Sequence, residues 1–573
     1  MTTDLIRAEQ KKFGIDAELK IVDNLPSFEI ANFNGRIVIS APNQLEQLYG
    51  IYDFAEKFRG WCFFEPGRDR FDQTLIVNDL PEGILVPAVK PFLKRRGLIQ
   101  EFPFDAETPD LFDWMAKNKL NYLLVWMKYY DCLSEELKQM ATNRGIVIES
   151  GHHNFNYWIP GKVYGKTHPE YFAEAGGKRI NPTTSDNTLL LSEQLCTTNP
   201  ELRREIIENM IEYCARHPEI KVISLIPNDG FGWCECENCS RFYDKNERGE
   251  LYSVSSHVYK ADRIYHDLLR EVAAGLRAVR PDIMISFCAY INYCAPSKGF
   301  VLEKGMMVHF APYWRCINHP VYDEGCPINS HYKDDILAWS RAKRGGEVNI
   351  YEYYMGVNFY LSLPMVHHRE MFAEMKWYHD NQIDGVLTQF HIGHWSAYGT
   401  NYYLMGKAAR GESEKAAIDF MFNRVFGDKA GKIRNFYQKL KNLTLRAGHC
   451  HIPYPYSILS RTKLDDYQEI LRLARDIDEK DFILWAEYML KFKSLFDRYH
   501  SGKLEVAELR QFLEWIHSNK NHRVYLPAKF NSYLGAWIKA IESGKPYLHF
   551  NIEWEDDYIR QHKTLLGKPE TTP

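Results

Sequence analysis

Residues 201–230 read ELRREIIENMIEYCARHPEIKVISLIPNDG. Leu202, Ile206, Met210, Ile211 and Cys214 recur at the helical period, which predicts an amphipathic helix from Glu201 to His217. Val222-Ile-Ser-Leu-Ile226 follows as a short apolar run, and Pro227-Asn-Asp-Gly230 supplies turn residues. A helix feeding a strand that is apolar on both faces is one unit of a parallel sheet covered by helices.

Working outward, seven further runs have the same character: Gly97–Phe102, Tyr122–Trp126, Gly145–Glu149, Ile283–Phe287, Met307–Phe310, Val348–Glu352 and Gly385–Phe390. Between the fourth and fifth, Val258 to Arg280 repeats the helical stripe with Ile264, Leu268, Val272 and Leu276. Eight strands alternating with helices, with long insertions after several strands, predict a closed (β/α)8 TIM barrel. An open doubly wound sheet is the rival, but no G-x-G-x-x-G follows any run.

Before the barrel, Arg36–Ser40 reads as a strand, Asn43–Phe58 as a helix, and Trp61-Cys-Phe-Phe64 is closed by Pro66-Gly67. After Leu404 strand signals disappear, and helical patterns run through Glu412–Phe426, Lys429–Ala447, Lys463–Phe496 and Lys503–His517. The expected class is therefore α/β, with a small α/β domain over residues 1–90, a catalytic barrel over 91–403 and an α-helical domain over 404–573.

Composition excludes several functions. Hydrophobic residues are 45% and charged residues 25% of the 573, the ordinary globular balance. A net charge of -4, with no Lys/Arg-rich block, leaves no field for a nucleic-acid partner. No 18-residue apolar run and no basic-then-apolar opening predict neither membrane association nor secretion, and the expected location is cytoplasmic. The twelve cysteines are then expected to be reduced. A homo-oligomer is compatible with all of this. Aromatic residues reach 14%, with 36 Tyr and 13 Trp. They suit either a large aromatic core or the stacking of sugar rings.

Active sites of such barrels lie at the carboxyl ends of the strands. The fourth run ends in a turn that projects Asp229, and the seventh ends at Glu352. Two carboxylates at one mouth are what glycosidic cleavage needs, an acid for the leaving oxygen and an ionised group for the other face. Here Asp229 is expected as the acid and Glu352 as base or nucleophile. The structural alternatives are a turn or helix-capping role for Asp229 and an ion pair with Arg315 or Arg96 for Glu352. The other ends carry Glu101 and Asp105; Trp126 and Lys128; His152 and His153; Tyr290 and Tyr293; Tyr313, Trp314 and Arg315; and Gln389, His391, His394 and Trp395. With Asn228, they make up an expected oligosaccharide-binding surface. No cofactor is expected for catalysis.

Cys234-Glu-Cys-Glu-Asn-Cys239 follows the Asp229 turn directly. Cys234, Cys236 and Cys239 fit a structural zinc completed by Cys288, Cys294, Cys316 or a histidine, or reduced packing cysteines, or redox chemistry.

Asn43–Phe58 followed by Trp61–Gly67 resembles the domain that precedes the barrel in family 20 hexosaminidases and family 67 α-glucuronidases, and Arg96-Gly-Leu98 resembles the first strand of the same barrels. Asn228-Asp-Gly230 joined to Cys234-x-Cys-x-x-Cys239 resembles a bacterial domain of once-unknown function that includes glycoside hydrolase family 163, endo-β-N-acetylglucosaminidases acting on complex N-glycans. Over about residues 30–400 the resemblance implies a barrel glycosidase, a GlcNAc-containing glycan and retention assisted by the substrate's acetamide. Where family 20 carries an Asp-Glu pair, this chain has Asn228-Asp229. A uronic-acid glycosidase using Arg315 or Lys128, and a non-catalytic carbohydrate-binding barrel, are the alternatives.

Overall fold

The computed structural model describes residues 3–180, 194–229, 232–245, 259–327, 329–356, 360–450, 456–545 and 547. Its centre is a closed barrel of eight parallel strands in chain order: Arg95–Gln100, Tyr122–Trp126, Val147–Gly151, Val222–Ser224, Met284–Ala289, Met306–Phe310, Glu347–Glu352 and Gly385–Phe390. The eighth strand closes on the first, with Gly385 opposite Arg95 and Phe390 opposite Gln100. Each strand lies on one of the eight runs read from the sequence.

Most strand bounds shift by one or two residues from the runs, and two of the shifts have a clear local reason. The third begins at Val147 because Gly145 makes a turn with φ +72°, donating to Thr142 O at 3.0 Å. The fourth stops at Ser224 because Ile226 N donates to the Asn154 side chain at 2.8 Å rather than to a neighbouring strand. At Gly97 a Cβ would stand 2.3 Å from Tyr122 O, so only glycine lets the first two strands approach this closely.

In front of the barrel, strands Ala17–Ile21, Arg36–Ala41, Glu29–Phe33 and Gly83–Val86 pair in that order as one sheet. Helix Gln44–Phe58 packs on it, its first turn held by the Asn43 side chain accepting from Glu46 N at 3.0 Å. Asp53 on this helix pairs with Lys119 at 3.0 Å and Glu56 with Lys407 at 2.6 Å, all four side chains buried. Asp53 also pairs with Lys57 at 2.8 Å and Glu56 also accepts from the Tyr403 hydroxyl at 2.7 Å, so a buried ionic network fastens the unit to the barrel.

Helix Trp395–Ala409 runs without a break across residues 403 and 404. Helices Glu414–Phe426, Ala430–Leu445, Leu464–Ile477, Lys480–His500, Val506–Ser518 and Pro527–Glu542 follow. The continuous pattern read over Lys463–Phe496 is two helices, because Asp478 adopts the left-handed conformation (φ +57°) that ends the first. One hydrophobic core runs from barrel residues such as Leu123 and Val308 to Trp485, Phe492 and Trp537 in the helical region. Trp537 is therefore a core residue, whereas Trp515 is half-buried. No helix among the described residues is long and apolar enough to cross a membrane.

Candidate active site

Strand alternation decides which side chains reach the mouth. Tyr351 points inward, its hydroxyl donating to Glu101 Oε1 at 2.9 Å. Its neighbour Glu352 therefore points outward, between the seventh strand and helix His368–Asp380. There Glu352 is 1% exposed and accepts from Arg315 Nη1 at 2.6 Å and from the Tyr378 hydroxyl at 2.8 Å. Arg315 also bonds Glu374. The expectation that Glu352 is a mouth carboxylate and Arg315 a sugar ligand is corrected: both belong to a buried ionic cluster behind the sheet.

The carboxylate that does reach the mouth is Glu101, just past the end of the first strand. Its side chain is 16% exposed, and Oε1 takes Gln389 Nε2 at 2.6 Å, the Tyr351 hydroxyl and His152 Nε2 at 3.2 Å. Burial pushes the Glu101 carboxyl up, but the hydrogen bonds and charge of His152 and the Tyr351 hydroxyl outweigh it and hold it below the usual range. Glu101 is an anion.

His152 is also bonded to the Tyr351 hydroxyl at 3.0 Å and stacks on Trp126, ring centroids 4.1 Å apart. Its backbone has φ +70°, a conformation that costs a non-glycine residue energy and clusters at functional sites. Its Nδ1 is buried and has no partner among the described residues. His153 stands beside it, ring centroids 4.9 Å apart. His153 Nδ1 meets Pro227 O at 2.5 Å, which places its proton there and leaves Nε2 facing Asp229 Oδ1 at 3.8 Å. Burial lowers the His153 pKa against the pull of Asp229, so the ring is neutral. The Asp229 side chain is 39% exposed, at the rim. Two carboxylates thus meet the mouth from the first and fourth strands, linked through adjacent imidazoles.

Of the other expected residues, Tyr290 lies near His153 and Tyr313, at 5.9 and 5.7 Å between centroids. Lys128 is half-buried, its ammonium over the Tyr129 ring at 5.0 Å. His391 accepts from Gly393 N at 2.8 Å and meets Phe102 edge-on, beside a small cleft that Asp105 and Phe390 also line. Five others are corrected. Asn228 is buried, bonding Asn156 and Gln194 on both sides, and holds the loop rather than a sugar. Tyr293 packs on Trp233 and Tyr265, and Trp395 packs among Phe64, Trp114 and Tyr402. His394 is buried against Ser362 Oγ at 2.5 Å. Trp314 is buried beside Tyr313.

The thiols of Cys234, Cys236 and Cys239 are joined by Cys196, all four sulfurs lying within 4.8 Å of one another. Cys196 is the fourth member in place of Cys288, Cys294 or Cys316. Its sulfur is 3.7 Å from that of Cys236 and 3.9 Å from that of Cys239. A tetrahedron with zinc–sulfur bonds of about 2.3 Å has edges of about 3.8 Å. Glu174 N and Arg179 point at Cys234 Sγ at 3.3 and 3.9 Å, suiting thiolate ligands. The four residues fit a structural zinc, which would tie the chain at Cys196 to the segment that follows Asp229.

No curated protein matches this sequence. Among solved structures the chain is similar to a family GH115 4-O-methyl-α-glucuronidase with specificity for decorated arabinogalactans, at 13% identity and a TM-score of 0.53, over 98% of this chain and 73% of that one. It is also similar to a β-N-acetylhexosaminidase from Bacteroides fragilis NCTC 9343, at 12% identity and a TM-score of 0.44, over 72% and 84%. The first likeness is one of fold. A family model described as "Domain of unknown function (DUF4838)" matches residues 86–439, from the last strand of the front sheet through the barrel and into the helical region, and the chain belongs to that family.

Proposed function

We propose that this protein hydrolyses a glycosidic bond in an oligosaccharide, with Asp229 as the general acid and Glu101 as the ionised carboxylate of the opposite face. The observation that carries the reading is Glu101. It is an anion held by three donors in the mouth, with an aromatic wall of Trp126 and Tyr290 nearby and a second, more exposed carboxylate across the two histidines. Glycosidases divide the work in this way, one group donating a proton to the leaving oxygen and the other attacking or activating water. His152, strained and with Nδ1 unpartnered among the described residues, suits a hydrogen bond to a sugar hydroxyl.

The finer reading is a β-N-acetylglucosaminide, as the sequence resemblance implies. Turnover of a panel of aryl glycosides tests it, together with reducing-end release from oligosaccharides. We expect cleavage of the N-acetyl-β-glucosaminide, and its loss in Asp229→Asn and Glu101→Gln. Binding without hydrolysis across the panel would leave a carbohydrate-binding barrel instead. A uronic-acid glycosidase keeps one supporting feature, the half-buried Lys128 beside the mouth, but Arg315 is held by Glu352 and Glu374. Cleavage of a glucuronide alone would decide for it.

A further inference from the structure

A second cluster of metal-binding side chains lies away from the mouth. Cys316, His319 and Cys326 come from the long connection after the sixth strand, and His449 from the turn that follows helix Ala430–Leu445. Their four ligand atoms lie within 4.8 Å of one another. Cys316 Sγ is 3.2 Å from His319 Nδ1, and Cys326 Sγ is 3.6 Å from His449 Nδ1. Bonds of about 2.3 Å to sulfur and 2.05 Å to nitrogen set a sulfur–nitrogen edge of about 3.6 Å in a tetrahedron. The two cysteines are buried and the two histidines half-buried.

We infer that Cys316, His319, Cys326 and His449 form a structural zinc site that clamps the helical region to the barrel. Two sulfurs and two imidazole nitrogens, with no carboxylate, select zinc over magnesium, calcium or manganese. The surroundings are built for it. Asn329, fully buried, accepts from Cys316 N at 2.8 Å and donates to the carbonyls of Cys316 and His319, both at 2.9 Å. Cys450 N donates to Cys316 Sγ at 3.4 Å, as backbone amides do to metal-bound thiolates. Ile317 N bonds Cys450 O at 2.8 Å, and the Asn318 side chain bonds Thr444 O at 2.8 Å. The loop and the turn are thus laced together on both sides of the four ligands. Each ligand pair alone has a bland explanation, a thiol resting on an imidazole. Convergence of both pairs, from segments about 120 residues apart, on one tetrahedral volume does not.

The site differs from the four-cysteine cluster in its ligands, which makes it separately measurable. Full-length protein purified from zinc-supplemented cells is expected to hold about two zinc ions per chain, with an average shell of about three sulfurs and one nitrogen by zinc X-ray absorption. Cys326→Ser and His449→Asn should each remove one ion and shift the remaining shell to four sulfurs. One zinc with two sulfurs and two nitrogens would support this site while removing the four-cysteine one. One zinc with four sulfurs in the wild-type chain, or none, overturns the inference. The wild-type measurement decides even if a variant does not fold.

Discussion

Glu101 Oε1 lies 3.2 Å from His152 Nε2, joining the end of the first barrel strand to the end of the third across the mouth. His152 in turn leads to His153 and Asp229, so the two candidate carboxylates sit in unlike surroundings, one gripped by donors and one at the rim. Glu101→Gln removes the anion but keeps the shape, and kcat is expected to fall about 10³-fold with little change in Tm. Asp229→Asn should behave differently. Its loss should be large for a poor leaving group and small for a nitrophenolate, which needs no proton. Equal losses on both substrates would remove Asp229 from the acid role.

Glu352→Gln separates structure from chemistry. The change weakens a buried ionic contact with Arg315, which still holds Glu374, so about 2 kcal/mol of stability should be lost in urea unfolding. Activity at a temperature where the variant remains folded should stay within about threefold. A kcat loss matching that of Glu101→Gln would return Glu352 to the site.

The pair Tyr351 and Glu352 shows how far the sequence could be read. All eight barrel strands were legible because a strand buried on both faces must be an unbroken apolar run, and the turns between such runs are polar. Which way the last residue of a strand points is a matter of one step in register, and spacing alone does not reveal it. That single step sends Glu352 outward and Tyr351 inward. Glu101 was visible only as one polar residue among many at the strand ends. Its environment comes from Tyr351 and Gln389, some 250 and 288 positions away. Cys196 was hidden for the same reason, since the C-x-C-x-x-C spacing carries no information about a ligand 38 residues upstream of it. The Cys316-x-x-His319 spacing was a usable local signal, but its partner His449 was not predictable from it.

The four-cysteine cluster gives a prediction about metal removal. The segment it would fix continues the Asp229 loop, which Gln194 also braces by bonding Gly232 and both sides of the Asn228 backbone. Cys236→Ser should lose one zinc per chain and lower kcat/KM about tenfold or more through misplacement of Asp229, with a lower Tm. An unchanged zinc content with unchanged Tm would identify these thiols as reduced packing cysteines.

Stability should fall in mild acid because of His266. It is buried, its Nδ1 accepts from Ser297 N at 3.1 Å, and burial lowers its pKa to about 3. The unfolded chain takes up the proton near pH 6.5, so between pH 6.5 and 3 the unfolded state binds more protons and stability declines as pH falls; above 6.5 the contribution is complete. At pH 5 the loss from this one group is about 2 kcal/mol. Asparagine can keep the bond to Ser297 without titrating. His266→Asn should therefore lose less Tm than the wild type between pH 7.5 and 5, and an identical loss would show that other groups govern acid unfolding.

The last prediction concerns dependence of the barrel on the helices behind it. The Trp485 indole donates to Ser362 O at 2.7 Å, and the Tyr488 hydroxyl bonds Leu361 O. Leu361 and Ser362 both hold positive φ, +51° and +59°, conformations that side chains rarely adopt without outside support. Ser362 in turn fixes His394 after the eighth strand. Nearer the mouth, Arg523 reaches Glu107 at 3.1 Å and Glu65 at 3.0 Å, and the Lys529 ammonium lies 4.7 Å over the Phe102 ring. Removing these helices would expose buried aromatic surface of about 150–250 Å² per ring, or about 4–6 kcal/mol for each one stripped. A chain ended after Gly411 is expected to be insoluble or inactive, whereas Trp485→Phe, which removes only the indole hydrogen bond, should cost about 1 kcal/mol and stay soluble. A soluble, fully active truncation would show that the helical region is an appendage rather than part of the catalytic fold.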